Sequence, residues 1–214
     1  MPVQTRAIET HAAIVRAAAA IFQVRGYGGA SMNDIAAAAG VTKGALYFHF
    51  ESKEALACAL IAAQHDSGMA MVGDLQQVEL SGVPAIIWLT FQFSRQLTED
   101  PVVRAGIRLT LESSNLTTPI VYPYQDWITA VEEQLATDNA RGELRQGVRI
   151  DATARVIIPA FTGVQMVSEV LTGRADLYQR VEEMWELFLP SMVPAERVAT
   201  LAEQCRTIRR SLEQ

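Results

Sequence analysis

The strongest constraint on the fold is a stretch of twenty residues, Ser31 to Phe50, with two helix starts and one glycine turn. Ser31 is followed three residues later by Asp34, a pattern typical of a helix N-cap with an acidic residue in the first turn. Gly40 can adopt the left-handed conformation that ends a helix, and Thr42 is a second N-cap candidate. The stretch therefore predicts two short helices joined by a tight turn, a helix-turn-helix.

Helical periodicity continues on both sides of this unit. Between Ile14 and Phe22, apolar residues recur at i, i+4, i+7 and i+8, and no alternating β-branched run typical of a strand occurs in the sequence. Asp151 is expected to cap a long apolar helix, and the next helix is expected to begin at Asp176. Glycines and prolines mark the helix ends, at Gly26, Gly82, Pro101, Gly142, Gly147, Gly173 and Pro194. The sequence predicts about ten helices and an all-α fold.

Charge differs between the first quarter of the chain and the rest. Residues 1–53 carry five Lys or Arg side chains and three Asp or Glu side chains, whereas the whole chain has a net charge of −6. A basic module on an acidic body suits a small DNA-reading domain rather than a general polyanion binder. We therefore predict a helix-turn-helix DNA-binding domain of three helices over residues 1–52 and a larger helical domain over residues 53–214.

Several other classes of protein are disfavoured. Cys58 and Cys205 are the only cysteines, so we expect reduced thiols rather than a disulfide framework or a zinc site. The longest uncharged apolar run, between Glu79 and Arg95, is interrupted by a glycine and a proline, and no apolar secretion signal precedes the first helix. We expect a cytoplasmic protein with no membrane segment. No Ser/His/Asp set and no His-x-x-x-His pair is visible, so we expect neither an enzyme nor a metal or cofactor site.

The second helix of the unit has the residue types that a recognition helix needs in the major groove. Gly44 costs a helix ~1 kcal/mol relative to alanine, and close approach of the backbone to the groove floor would explain its presence. Ala45 is small enough to touch a thymine methyl, and Lys43 can donate to guanine or to a phosphate. The full set of predicted DNA contacts is Ser31, Thr42, Lys43, Gly44, Ala45, Tyr47, His49 and Lys53.

The segment from Ile35 to Phe50, followed by Ser52-Lys53-Glu54-Ala55-Leu56, resembles the TetR family of repressors. The upstream run from Ala18 to Phe22, with Gly26-Tyr27, fits the first helix of that family. The resemblance implies a homodimer that places two recognition helices on neighbouring major-groove faces of a pseudo-palindromic operator.

The same resemblance implies that the last long helices, about residues 152–171 and 176–192, form the dimer interface. Apolar stripes on these helices need a partner, either within the chain or in a second copy. Their members are Val156, Val164, Val167, Leu171, Val181, Trp185, Phe188 and Leu189.

Later segments are similar to the γ-butyrolactone receptor branch of that family. They are Pro101 to Leu109, Trp127 after a Pro-Tyr pair, and Phe161 to Gln165. This resemblance implies that a signal with a five-membered lactone, or a butenolide or furan relative, releases the DNA. Large apolar walls with a few uncharged polar groups suit such a ligand, and an indole N–H pairs naturally with a carbonyl. The candidate ligand-binding residues are Gln64, Trp88, Phe91, Trp127, Phe161, Thr162 and Gln165.

Several interpretations of the function stay open at this point. The favoured one is a repressor released by a γ-butyrolactone or butenolide-type signal, and the alternative within the family is a repressor that senses an antibiotic or another metabolite. An α-helical enzyme lacks a visible catalytic set. A helical adaptor without a DNA role leaves the pattern of residues 42–53 unexplained.

Overall fold

The computed structural model describes the backbone of residues 2–214 and the side chains of residues 6–214. That part of the chain contains ten α-helices and no β-strand, which confirms the all-α prediction. The helices are α1 (Pro2–Gly29), α2 (Met32–Ala39), α3 (Lys43–His49), α4 (Lys53–Asp74), α5 (Val83–Glu99), α6 (Pro101–Leu111), α7 (Tyr122–Ala140), α8 (Ile150–Thr172), α9 (Leu177–Met192) and α10 (Ala195–Leu212).

Helix α1 is interrupted near its end. Gly26 has a φ of 67° and a ψ of −178°, a conformation that lies outside the helical region and that glycine adopts without a steric penalty. The glycine was expected to end the helix, and its backbone does break it. A final helical stretch nevertheless continues to Gly29.

The chain forms two compact units that differ from the predicted domains. The first unit contains residues 1–68 and 99–123, and the second contains residues 69–98 and 124–214. Helix α6 and most of α4 thus pack with the three N-terminal helices. The reason is a shared apolar core, in which Leu60 of α4 and Leu109 of α6 are buried together with Phe22 of α1. A functional boundary between residues 52 and 53 stays a prediction.

The core of the second unit includes a buried tryptophan whose indole N–H makes a hydrogen bond. Trp185 is fully buried, and its indole N–H donates to the hydroxyl of Thr90 at 2.9 Å. Val181 and Leu189, which share this stripe of α9, are also fully buried. Of the two partners left open for this stripe, the chain itself therefore buries these three residues.

A buried carboxylate caps the start of α5. Asp138 is 1% exposed, and its Oδ2 accepts the N–H of Val83 at 3.0 Å and a longer bond from Arg197 at 3.3 Å. Gly82, with a φ of 70°, lies directly against this carboxylate, since a Cβ at that position would come 1.7 Å from Asp138 Oδ1. The close approach and the positive φ both require glycine at position 82.

Two aspartates near the starts of α8 and α9 make contacts other than helix caps, and Asp151 is the one that was predicted to be a cap. Asp151 lies inside the first turn of α8, which begins at Ile150, and it pairs with Arg155. Asp176 precedes α9 but makes no capping bond to that helix. Its carboxylate instead accepts from the hydroxyl of Ser168 at 2.6 Å, and from Thr172 and Arg180, and these bonds lower the pKa of Asp176 to about 2. This carboxylate joins the end of α8 to the start of α9.

Three helices are long and apolar enough to cross a membrane when only length and composition are considered. They span Arg6–Gly29, Lys53–Asp74 and Ile150–Thr172. Part of their apolar character comes from residues that pack in the cores of the two units, such as Phe22, Leu60 and Ile157.

Candidate functional site

Side-chain caps fix both helices of the predicted helix-turn-helix. The Ser31 hydroxyl accepts the N–H of Asp34 at 3.2 Å, and Thr42 Oγ1 accepts the N–H of Ala45 at 3.1 Å. Gly40 ends α2 in the left-handed conformation, with a φ of 66°, and its N–H bonds back to the last turn. The two helices and the turn that the sequence predicted are present, and the Ser31 hydroxyl is used inside the unit.

One face of α3 is exposed and the opposite face is buried. Lys43, Gly44 and Tyr47 are exposed, whereas Leu46 is fully buried in the core of the first unit. Ala45 is half-buried at the edge of this face, and its contact with a thymine methyl stays a prediction. The exposed residues lie at i, i+1 and i+4, which places them on one side of the helix.

The packing of the chain does not require a glycine at position 44. A Cβ at this position would meet nothing closer than the Thr42 hydroxyl oxygen, 4.0 Å away. Gly44 is the second residue of α3, and a glycine within a helix is destabilising by up to ~1 kcal/mol relative to alanine. Any reason for glycine at position 44 therefore lies outside the chain, in a partner molecule that approaches the backbone of α3.

Lys53 is used inside the first unit. Its ammonium donates to the carbonyl of Tyr27 at 2.8 Å and to that of Ala30 at 3.1 Å, and it lies 4.3 Å from the centre of the Tyr27 ring. These contacts engage the ammonium of a residue that was predicted to contact DNA. The sequence did not indicate this because Tyr27 and Lys53 are far apart along the chain.

The aromatic residues at the end of α3 include one that the sequence analysis missed. His49 is half-buried, and its ring centroid lies 5.8 Å from that of His11 and 5.4 Å from that of Phe48. Phe48 is 82% exposed and lies one helical turn after Gly44 on the open face of α3. The i, i+4 spacing from Gly44 was the available signal for including Phe48 in this face.

An aromatic cluster in the second unit contains two of the candidate ligand residues. Phe93 lies between Trp127 and Phe161, with ring centroids 5.5 Å and 6.0 Å away, and both pairs meet edge to face. Trp127 is half-buried and Phe161 is buried. The elements that meet here are α5, α7 and α8.

Polar atoms without partners lie on the helices of this cluster. Gln165 is 2% exposed, and its Oε1 has no hydrogen-bond partner. The Tyr124 hydroxyl oxygen is buried without a hydrogen-bond partner. Burial raises the pKa of Tyr124, and the nearby Thr162 hydroxyl partly offsets this effect. Thr162 itself donates to the carbonyl of Ile158 at 2.9 Å. A buried polar group without a partner costs free energy of folding, and a bound ligand that supplies the missing hydrogen bond recovers that cost.

Tyr124 was not among the predicted ligand residues. It lies three residues before Trp127, on the same side of α7, and the Pro123-Tyr124 pair had served only to locate the tryptophan. Of the remaining candidates on α5, Trp88 is half-buried and Phe91 is fully buried.

Gln64 lies in the first unit, on α4. It is fully buried, and neither its Oε1 nor its Nε2 has a hydrogen-bond partner. It packs against Gly106 of α6, where a Cβ would come 2.4 Å from the Gln64 Cβ. Since Trp127 belongs to the second unit, the prediction that the two residues line one cavity stays a prediction.

Helices α8 and α9 present an exposed apolar face, which we call the α8–α9 face. Val170 is 83% exposed and Leu187 is 79% exposed. Single exposed apolar residues are common on protein surfaces, but a cluster of them marks an interaction surface. The members of the face are Val156, Met166, Val167, Val170, Leu171 and Leu187. Of the predicted interface residues, Val156, Val167 and Leu171 are thus exposed, and Val164 and Phe188 are half-buried.

The sequence is similar to known regulatory proteins. Residues 14–60 match the family described as bacterial regulatory proteins, tetR family, and residues 80–194 match the tetracyclin repressor-like C-terminal domain. The A-factor receptor protein of Streptomyces griseus is 38% identical over 208 residues, which cover 96% of this chain and 72% of that protein. The HTH-type transcriptional repressor DhaR of Mycobacterium sp. strain GP1 is 26% identical over 181 residues, 80% of this chain and 88% of that protein.

Solved structures are similar over nearly the whole chain. A γ-butyrolactone receptor described as an ArpA-like protein has a TM-score of 0.86 at 32% identity, covering 96% of this chain and 99% of that chain. The TetR family protein CprB from Streptomyces coelicolor, in complex with its biological operator sequence, has a TM-score of 0.85 at 31% identity, covering 95% and 98%.

Proposed function

Because the chain belongs to the TetR family of bacterial regulatory proteins, we propose that it is a ligand-responsive transcriptional repressor of the cytoplasm. It binds a pseudo-palindromic operator as a homodimer, and a small γ-butyrolactone or butenolide-type signal releases it. The observation that carries this proposal is the open face of α3, a helix whose start is capped by the Thr42 hydroxyl. The curated relatives are transcriptional regulators and not enzymes.

The open face of α3 enters the major groove in this proposal. Lys43 and Tyr47 supply donors for phosphates or base edges, and Gly44 lets the backbone approach the groove floor. Phe48 adds an apolar contact, for which a thymine methyl or a sugar is the natural partner. Thr42 and His49 flank this face. Lys53 serves DNA binding indirectly, by holding residues 27–30 in place before α2.

The ligand site that we propose in the second unit is built around Trp127. The indole N–H donates to a ligand carbonyl, while Phe93 and Phe161 supply apolar walls. Tyr124, Gln165 and Thr162 are the polar partners. The absence of charged side chains from this set suits a neutral lactone better than a carboxylate. Gln64, with its two unpartnered amide atoms, is a separate candidate in the first unit.

Release of DNA follows from differential binding. A ligand that binds better to a conformer with misplaced recognition helices shifts the population away from the DNA-binding state. The similarity of the chain to an A-factor receptor and to a γ-butyrolactone receptor supports this ligand class. The alternative ligand is an antibiotic or another metabolite, and the same buried polar atoms would then bind it.

Replacing Lys43 or Tyr47 with alanine tests the DNA-binding face. Each variant is expected to bind a duplex selected by the wild-type protein at least several-fold more weakly, without a change in thermal stability, because both side chains are exposed. Loss of a Lys43–phosphate contact should reduce the slope of log affinity against log salt by roughly one unit. Arg95→Ala, at an exposed position of α5, is the matched control. Wild-type affinity in both variants would remove α3 from the DNA interface.

Substitutions at Trp127 test the ligand site. Trp127→Ala is expected to bind DNA normally and to need at least about tenfold more synthetic γ-butyrolactone for release, because a hydrogen bond of ~1 kcal/mol and ring packing are both lost. Trp127→Phe keeps an aromatic ring beside Phe93 but removes the N–H, so it should show a smaller defect. Release is measured by fluorescence anisotropy of the labelled duplex. A wild-type response of Trp127→Ala would refute the assignment of this site.

A further inference from the structure

The break in α1 at Gly26 leaves backbone groups that need partners from elsewhere. A helix that ends leaves its last carbonyls unpaired, and a stretch that restarts leaves its first N–H groups unpaired. At this break the unpaired groups include the carbonyl of Gln23 and the N–H of Tyr27. Both lie only a few residues before Ser31, the N-cap of the helix-turn-helix.

One ion pair at the end of α6 satisfies both groups. Arg108 donates through Nη1 to the carbonyl of Gln23 and through Nε to Glu112 Oε1, the latter at 2.9 Å. The other carboxylate oxygen of Glu112 accepts the N–H of Tyr27 at 2.7 Å. Burial alone would raise the pKa of Glu112, but the bonds from Arg108 and Tyr27 outweigh it and lower that pKa, so the carboxylate stays ionised at neutral pH.

The ion pair packs directly on the glycine of the break. A Cβ at position 26 would come 2.8 Å from both carboxylate oxygens of Glu112 and 2.9 Å from Arg108 Nη2. The missing side chain is therefore what allows α6 to reach the backbone of α1. Glycine at this position supplies both the positive φ and the room for the pair.

The segment after the break is held from its other side by α4. Lys53, the first residue of α4, binds the carbonyls of Tyr27 and Ala30, as described above. Residues 27–30 are thus held by Glu112, which directly follows α6, and by Lys53 of α4, and α2 begins two residues later. Any shift of α6 relative to α4 must change one of these sets of contacts.

We propose that Arg108 and Glu112 are positioning residues, which hold residues 27–30 so that α2 and α3 lie correctly for DNA. This inference rests on the proposed DNA-binding function. The pair is a weak stabiliser, because its side chains are 40% and 28% exposed and such ion pairs contribute little to folding. Its contribution is to the placement of the recognition helix, which must be precise to bind.

Glu112→Gln tests this inference with DNA alone. The amide can accept from Tyr27 or from Arg108 but cannot form charge-assisted bonds to both, so the segment should populate misplaced conformations. If about one molecule in ten remains competent, the affinity for a duplex selected by the wild-type protein falls about tenfold. The melting temperature should change little. Exchange of the Tyr27 amide hydrogen, followed by NMR or mass spectrometry, should accelerate.

Two further variants complete the experiment. Glu99→Gln, at the exposed end of α5, removes a charge near the start of α6 and should leave the affinity unchanged. Arg108→Lys keeps the charge but cannot bind Glu112 and the Gln23 carbonyl in the same geometry, so it should weaken DNA binding like Glu112→Gln.

Three results would overturn the inference: wild-type affinity in Glu112→Gln and Arg108→Lys, an equal loss in Glu99→Gln, or a loss explained entirely by a smaller folded fraction. A wild-type protein that selects no duplex would instead contradict the proposed function, and the variants are not needed to see that result.

Discussion

Val170→Asp is expected to convert the dimer into monomers and to weaken binding to duplex DNA by at least about a hundredfold. A single recognition helix reads only one half-site, and linking two binding modules raises the overall affinity by 10²–10⁴. Val170 is 83% exposed within the chain, so the substitution costs the folded protomer little. In the dimer it would place a carboxylate within the apolar α8–α9 face. Analytical ultracentrifugation at micromolar concentration gives the assembly state, and anisotropy gives the affinity.

The matched control for this experiment is Val78→Asp, which adds the same charge to the turn after α4, where the valine is partly exposed. It should remain dimeric and bind DNA normally. Val167→Asp, also on the α8–α9 face, should behave like Val170→Asp. A dimer that survives both substitutions on α8 would place the interface elsewhere.

Gly82→Ala is expected to destabilise the protein by ~4 kcal/mol. A Cβ in the left-handed conformation costs roughly 1–2 kcal/mol. The larger part comes from Asp138, which is 1% exposed and whose Oδ1 would lie 1.7 Å from the new carbon, so the carboxylate has to shift. Displacing it removes the cap of α5 and its bond to Arg197, and disrupting a buried charged pair typically costs ~3 kcal/mol or more.

Gly142→Ala separates the two causes of this effect. Gly142 has the same φ of 70°, but a Cβ there would meet nothing within 4 Å. It should therefore show only the backbone cost of roughly 1–2 kcal/mol. Urea denaturation of both variants gives the comparison, through midpoints at unchanged slope. Equal losses in the two variants would mean that Asp138 does not hold the start of α5.

The parts of the fold that the sequence predicted are those fixed by local chemistry. The caps at Ser31 and Thr42, the turn at Gly40 and the ends of most helices depend on residues within one or two turns of each other. The same holds for the open face of α3, because residues at i and i+4 share one side of a helix whatever the tertiary structure.

The parts that could not be predicted depend on residues far apart in the sequence. Lys53 has the position of a DNA contact in the sequence, but its partners within the chain lie 23 and 26 positions earlier. Trp185 has the pattern of an interface residue, but Thr90, 95 positions away, shows that it belongs to the core. Periodicity shows that a helix face is buried, without showing whether its own chain or a second copy buries it.

The ligand site was predictable only in part for the same reason. The aromatic residues were visible as apolar positions, and Trp127 stood out through its resemblance to a family pattern. The missing hydrogen-bond partners of Tyr124 and Gln165 could be seen only once the surrounding helices were in place. Unsatisfied polar atoms are a property of the packed structure, and they carry no sequence pattern.

Selection of genomic DNA fragments from the source organism by the full-length protein, with and without a synthetic γ-butyrolactone, tests the central claim most directly. We expect enrichment of fragments that share a pseudo-palindrome, with half-sites about one helical turn or a multiple of it apart, and binding that weakens steeply as salt rises. We expect the lactone to release these fragments. A protein that enriches no common sequence from the genome, at any salt concentration that keeps it dimeric, would contradict the claim that it is a repressor.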